Sequence, residues 1–242
     1  MGMTFDPRFL MLVIHDLRNP LNVIGLTHRM LMDSPAGDDP SAREDLEILG
    51  ENARQMERML RQLSDYARLL ETADRPHPLP FDPSRLVGEI VEDHNSRAVE
   101  GTPAVLVSTA ETTPSRVLLD PSRSRLAIQG ALNNAATAAE GRPIRVVVGG
   151  RDGGRRLVVE VVVEGPPRET VVATRLRGDH IDRLIGTPME RVGLELALAA
   201  KVSELFGGET RLEVAPGRSS TLVLDWPIEA EAEAEADGTR VA

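Results

Sequence analysis

Residues 8–33 read RFLMLVIHDLRNPLNVIGLTHRMLMD, and their periodicity decides how the chain begins. Leu10, Ile14, Leu17, Leu21, Ile24, His28 and Leu31 recur at alternating four- and three-residue steps, the seam of a coiled coil or helical bundle. Pro20 sits inside this helix, removes the amide that would bond the Asp16 carbonyl, and predicts a kink there. The turn-rich run Ser34-Pro35-Ala36-Gly37-Asp38-Asp39-Pro40 stops it. A second helix is expected from Ser41 to Glu71, with Leu46, Leu49, Ala53, Met56, Leu60, Leu63, Ala67 and Leu70 as its seam. Ser41 with Glu44 reads as its capping box. Two helices joined by a short loop form an antiparallel hairpin, and a lone hairpin cannot bury both seams. Pairing with a second copy gives a four-helix bundle, so residues 1–71 predict a homodimer.

Outward from the hairpin, residues 72–82 carry Pro76, Pro78 and Pro80 and read as an interdomain linker. Residues 83–228 then mix periodicities. Helices are expected at 83–95, 121–139 and 187–206, the last ending at Gly207-Gly208. Strands are expected at 104–108, 116–119, 144–148, 157–163, 211–214 and 221–226, with Pro227 closing the last. The fold class is α+β: a dimerising two-helix hairpin followed by an α/β sandwich, one sheet with helices on one face. Residues 229–242 alternate Glu and Ala without a hydrophobic face and are expected to be disordered.

Composition excludes several functions. The 242 residues carry 28 basic and 38 acidic side chains, a formal charge of −10, which argues against nucleic acid as a partner. The absence of cysteine removes disulfides, thiolate metal sites and cysteine nucleophiles. The longest apolar run, Phe9 to Ile14, falls far short of the roughly 18 residues of a membrane span and lacks a cleavage site, so a soluble cytoplasmic protein with no membrane partner is expected. Aromatics are only 2%, so the cores must be built from Val, Leu, Ile, Met and Ala.

His15 organises the functional reading. It follows the seam residue Ile14, so its side chain should face solvent beside the buried stripe; Asp16 is next, and Asn19 lies one turn on, on the same face. A nucleophilic imidazole needs one nitrogen free and the other held in a fixed tautomer. A neighbouring carboxylate can supply that hold and take the proton. A surface histidine beside a helix carboxylate is also commonplace, and the triad alone does not decide. The other histidines point to no chemistry: His28 is a polar seam position, His77 lies in the linker, and His94 and His180 have no ligand-like neighbours.

The full string His15-Asp16-Leu17-Arg18-Asn19-Pro20-Leu21 resembles the phosphoacceptor box of two-component sensor histidine kinases. Leu60-Arg61-Gln62-Leu63-Ser64-Asp65-Tyr66-Ala67-Arg68 resembles the end of that family's hairpin, and the likeness continues through Pro80–Leu86 and Val117–Asp120 to Pro227. The resemblance implies that His15 is phosphorylated, that Asp16 is the acid/base and that Asn19 orients water for dephosphorylation of a partner. It also implies a response-regulator receiver domain as partner and Mg·ATP as cofactor.

In the nucleotide half the resemblance is incomplete. Leu126 to Ala135 is similar to the family's asparagine box, with Asn134 at the Mg²⁺-binding position, but Gly130 replaces the earlier asparagine and Thr137 the usual lysine. Where the family carries Asp-x-Gly-x-Gly to accept from the adenine amine, this chain has Val163-Glu164-Gly165-Pro166-Pro167. Sliding the register by one puts Glu164 at the acid but both prolines on the glycines. The second glycine box is Arg191-Val192-Gly193-Leu194-Glu195-Leu196, keeping only Gly193 and setting Glu195 against the triphosphate; Arg191 could meet a phosphate. Residues 168–190, at the family's ATP lid, lack its glycine hinges, whereas Gly207-Gly208 and Thr221 match. Asn134, Gly165 and Gly193 are thus the remaining nucleotide-contact candidates, in a site expected to be eroded.

Three readings stay open: a phosphotransferase or phosphatase using His15 with a decayed ATP domain, a divergent kinase still loading Mg·ATP through Asn134, and a non-catalytic binding module. The intact triad argues against the binding module and the eroded glycine boxes against the kinase, which favours the first. With only residues 1–7 before the hairpin, input is expected from a partner or from the second domain.

Overall fold

In the computed structural model the described residues are 7–33, 39–70, 75–98, 104–165, 174–176, 194–215 and 218–228. The chain divides into two compact units, Met1–Asp74 and Arg75–Ala242.

The first unit is a hairpin of α1 (Pro7–Met32) and α2 (Pro40–Leu70). Its core joins Ile14 and Leu21 to Ala53 and Leu60, with Leu63 packed against them. The seam is used by halves. Ile14, Leu21, Leu46, Ala53, Leu60 and Ala67 are buried within the hairpin, while the intervening Leu17, Ile24, Leu31, Leu49 and Met56 stay 39–49% exposed. In a single copy these five seam positions are therefore left only partly covered. Helix α1 continues through Pro20. Helix α2 starts one residue before the sequence suggests: Pro40 takes the first helical position, where its missing amide costs nothing, so Ser41 lies in the first turn and not at the cap. The side chains of Leu10, Ser41 and Leu70, and residues 34–38 and 71–74, lie outside the described residues.

The second unit opens with a correction. Residues 72–82 read as a linker, yet Leu79–Phe81 form strand β1, paired antiparallel with β3 (Val117–Leu119) in register Leu79↔Leu119. The main sheet comprises β2 (Leu106–Thr109), β4 (Ile144–Arg151), β5 (Arg156–Glu164), β6 (Thr174–Leu176), β7 (Glu209–Ala215) and β8 (Ser219–Pro227), in the order β2-β4-β5-β8-β7-β6. Among the described residues only β2 and β4 run parallel; the other neighbours are antiparallel.

Among the described residues the helices of this unit are α3 (Pro83–Ser96), α4 (Pro121–Ala139) and α5 (Leu194–Leu205). Two of them begin with the same four residues, Asp-Pro-Ser-Arg. Asp82 accepts from the amides of Ser84 and Arg85, Asp120 accepts from those of Ser122 and Arg123, and proline occupies the first position of both helices. Asp120 also accepts from the His77 amide at 3.0 Å, tying residues 75–78 to α4.

Helix α5 is pinned to the sheet through buried polar contacts. Trp226, fully buried on β8, donates to Ser203 Oγ at 2.8 Å, Thr210 Oγ1 meets the same oxygen at 2.9 Å, and Phe206 packs edge-on against the indole at 5.3 Å. Trp226 pairs with Leu157, so strand alternation turns Leu157, Val159, Val161 and Val163 toward the helices with Leu222 and Leu224. The opposite face carries the ion pairs Arg156–Asp225 at 2.6 Å, Arg151–Glu160 at 2.8 Å and Arg145–Glu164 at 3.6 Å. The Gly207-Gly208 pair has two separate reasons: Gly207 takes φ +71° where α5 ends, and a Cβ on Gly208 would collide with the Asp225 carbonyl. Of the helix expected at 187–206, residues 187–193 lie outside the described residues, as do the tail 229–242 and, of the stretch read as a lid, residues 168–173 and 177–190.

Candidate functional site

His15 follows Ile14, which is 1% exposed, and is itself exposed. One residue is about 100° of helix, so anchoring Ile14 in the hairpin core turns the imidazole out beside the seam. Asn19 lies one turn further along, also exposed. Pro20 follows it and leaves the Asp16 carbonyl without the amide a helix would supply. Asp16 is in α1 between His15 and Leu17; its side chain lies outside the described residues. The sequence-predicted pair His15 and Asn19 thus shares one accessible face, bordered by the uncovered apolar residue Leu17.

Two hairpin features were not evident in the sequence. A Cβ on Gly50 would lie 2.5 Å from His28 Nε2, so the α2 glycine makes room for the His28 ring, whose Nε2 is buried without a hydrogen bond among the described residues. The mid-helix glycine was the available signal. Near the hairpin's end, burial pushes the Asp65 carboxyl above its ordinary value, with Arg68 and Arg61 opposing that rise.

In the second unit, Asn134 is half-buried on α4. Beside it, Asn133 Nδ2 donates to Glu195 Oε1 at 3.3 Å, joining α4 to the first turn of α5. Three residues earlier, a Cβ on Gly130 would lie 2.7 Å from the Glu195 carbonyl oxygen, so the two backbones are almost in contact. Sequence reasoning noted Gly130 and Glu195 separately and missed Asn133, whose only signal was the Asn133-Asn134 doublet. Val163 is 3% exposed and faces the helix layer, while Glu164 is exposed, pairs with Arg145 and turns to the other face. Neither alignment register therefore brings a carboxylate to the helix side of the sheet at the end of β5. Gly165 has φ +92° and donates its amide to the Arg218 carbonyl at 2.7 Å. Pro166, Pro167, Arg191, Val192 and Gly193 lie outside the described residues.

His77 is exposed, His94 on α3 is half-buried with its pKa lowered by burial, and His180 lies outside the described residues. Glu89, between Arg125 at 2.6 Å and Arg85 at 3.1 Å, is held below the ordinary carboxylate range by those hydrogen bonds. No described helix is long and apolar enough to cross a membrane.

Residues 8–72 match the His Kinase A (phospho-acceptor) domain. Both units together, 91% of the chain, align at 24% identity with sensor protein TorS of Escherichia coli and at 28% with the methanogenesis regulatory histidine kinase FilI of Methanothrix harundinacea. Sensor-type histidine kinase PrrB of Mycobacterium leprae aligns over 87% of the chain at 26% identity. The chain spans about a quarter of TorS and FilI, 24% of each, and 45% of PrrB. Among solved structures, full-length ShkA in complex with AMPPNP superposes with a TM-score of 0.71 at 21% identity, over 93% of this chain and 47% of that one. Histidine kinase ThkA in complex with response regulator TrrA gives 0.59 at 17% identity, over 90% and 60%. The fold is that of a phosphoacceptor hairpin followed by an ATPase-like α/β unit. Residues 8–72 thus match a phosphoacceptor domain of histidine kinases, and the chain as a whole is similar to two-component sensor histidine kinases.

Proposed function

We propose that the chain carries a phosphoryl group on His15 and exchanges it with the aspartate of a response-regulator receiver domain, as a homodimer in the cytoplasm. In this reading residues 1–71 perform the transfer and residues 83–228 persist as a scaffold or docking domain. The observation that carries the proposal is the exposed His15, held out by buried Ile14 inside a matched phosphoacceptor domain. An unprotonated ring nitrogen attacks the phosphorus of the receiver's aspartyl phosphate; the N–P bond forms, the P–O bond to the aspartate breaks, and the aspartate leaves as a carboxylate. The proton on the other ring nitrogen passes to a base, the part proposed for Asp16. Exposed Asn19, on the same face, is proposed to orient the water that hydrolyses the phosphoryl group in the phosphatase direction. The receiver as partner draws support from ThkA, a neighbour in fold solved in complex with a response regulator. The half-used seam supports self-association, since Leu17, Ile24, Leu31, Leu49 and Met56 need a second hairpin to cover them.

The second unit does not suit Mg·ATP, although its fold neighbour ShkA holds AMPPNP. Among the described residues Asn134 is the metal-ligand candidate the sequence offers, Val163 offers no acceptor for an adenine amine, and Glu195 brings a carboxylate to the first turn of α5. No step is therefore routed through a nucleotide.

The experiment supplies radiolabelled ATP and, separately, labelled phosphoreceiver to the wild type and to His15→Gln. Label arriving only from the receiver, and lost in the variant, supports transfer. Label arriving from ATP overturns it in favour of a kinase, and binding without label leaves a binding module.

A further inference from the structure

We propose that residues 75–81 are a detachable strap, latched onto the second unit by Asp120, whose release lengthens the tether between that unit and the hairpin. This device is independent of the phosphoryl transfer proposed for His15.

Asp82 and Asp120 separate helix capping from latching, because both open the same Asp-Pro-Ser-Arg. Each uses Oδ1 to accept from the two amides that follow the proline. Asp82 is exposed, and its motif's arginine, Arg85, turns away to Glu89 at 3.1 Å. Asp120 is only 6% exposed. Its Oδ2 accepts from the His77 amide at 3.0 Å and lies 3.4 Å from Nε of Arg123, which is buried with it. Taking an ion pair out of water is costly, and Asp82 shows that a cap does not require it. The buried second oxygen therefore serves the strap.

The strap is built to be held along one edge. Pro76, Pro78 and Pro80 have no amide, so its backbone donors fall at Arg75, His77, Leu79 and Phe81. In an extended chain, donors two residues apart share an edge. Leu79 and Phe81 lie opposite Leu119 and Val117 of β3. The His77 donor, next along that edge, meets Asp120, the residue after Leu119. The proline edge offers no donor to a further strand. Burial adds little, since Arg75, His77, Pro78, Leu79 and Pro80 are exposed, Leu79 at 57%. A segment held by a few backbone hydrogen bonds and little apolar contact opens locally, at a lower free energy than the sheet. Once released and extended, residues 75–81 add at most roughly 25 Å to the tether.

The test is hydrogen–deuterium exchange of the full chain, read by mass spectrometry on peptides covering 75–82, with β5 and β8 as reference. Asp120→Asn keeps Oδ1 for the cap but sets an amide donor against the His77 amide. His77→Pro removes the His77 amide and leaves the carboxylate untouched. Asp82→Asn is the control, and Trp226 fluorescence confirms that each variant folds. Strap amides of the wild type are expected to exchange faster than those of β5 and β8. Asp120→Asn and His77→Pro should each accelerate them at least about tenfold further, with Asp82→Asn unchanged. Wild-type strap exchange as slow as the sheet overturns the proposal, since no local opening would exist. Where both variants fold, acceleration in only one of them, or in neither, also overturns it. So does equal acceleration of strap and sheet, or a matching effect of Asp82→Asn, either of which would make Asp120 a cap and nothing more. If Asp120→Asn does not fold, His77→Pro decides by the same readings.

Discussion

Shortening Leu49 and Met56 to alanine together is expected to weaken self-association far more than it weakens the hairpin. Both lie on the α2 seam and remain 42% and 49% exposed in one copy, so close to half of each side chain is left for a second copy to cover. Complete burial of such a side chain is worth about 1.5–3 kcal/mol, which makes the uncovered part worth about 1 kcal/mol. Two side chains in each of two protomers bring the loss to about 4 kcal/mol, roughly a thousandfold in the dimer Kd. Sedimentation equilibrium well below the melting temperature reads this directly. Glu51→Ala, two residues beyond Leu49 and so on the far side of α2, serves as the control and should leave the Kd unchanged. A double variant that dimerises within about threefold of wild type would refute the assignment of the uncovered half-seam to the dimer.

Other consequences are equally direct. Ser203→Ala leaves the buried Trp226 N–H without its acceptor, at a cost of about 1–3 kcal/mol. Trp226 is the only tryptophan, so a urea melt followed by fluorescence reports this unit alone, and an unchanged midpoint would count against the contact. Gly208→Ala drives a Cβ into the Asp225 carbonyl where α5 meets β8, and should lower the melting temperature of the same unit while leaving the hairpin helicity intact. Asp65 gives a pH signature. Its folded pKa is raised by burial above the ordinary value of 3.8, so its stabilising contribution is full below that value and is lost as pH climbs through the raised one. Asp65→Asn should remove this loss and raise hairpin stability at neutral pH; an unchanged stability–pH curve would contradict it.

The hairpin was legible because its information is local: a seven-residue apolar repeat, a turn-rich loop and an out-of-register histidine. Which half of the seam closes the hairpin was not, since Leu46 and Leu49 look alike until α1 is placed against them. The helix starts at Asp82 and Asp120 were visible as a repeated Asp-Pro-Ser-Arg, a signal that a search for long repeats overlooks. Strand β1 was hidden for a different reason. Leu79-Pro80-Phe81 has little strand propensity of its own and forms because Val117–Leu119, distant in sequence, offers an edge. The contact of Gly130 and Asn133 with Glu195 likewise joins residues far apart in the chain, and only the packing of α4 on α5 brings them together. Glu164 shows how a strand settles an ambiguous alignment: alternation sends it to the face opposite Val163, whatever register is chosen.

The central claim meets its most direct measurement in the fate of a phosphoryl group offered without nucleotide. Receiver domains charged with radiolabelled acetyl phosphate and freed of excess reagent are mixed with the chain, and acid-labile, alkali-stable label is mapped by peptide mass spectrometry. The account predicts phosphohistidine at His15, absent from His15→Gln. Label on another residue, or none on a chain that still binds the charged receiver, would contradict it.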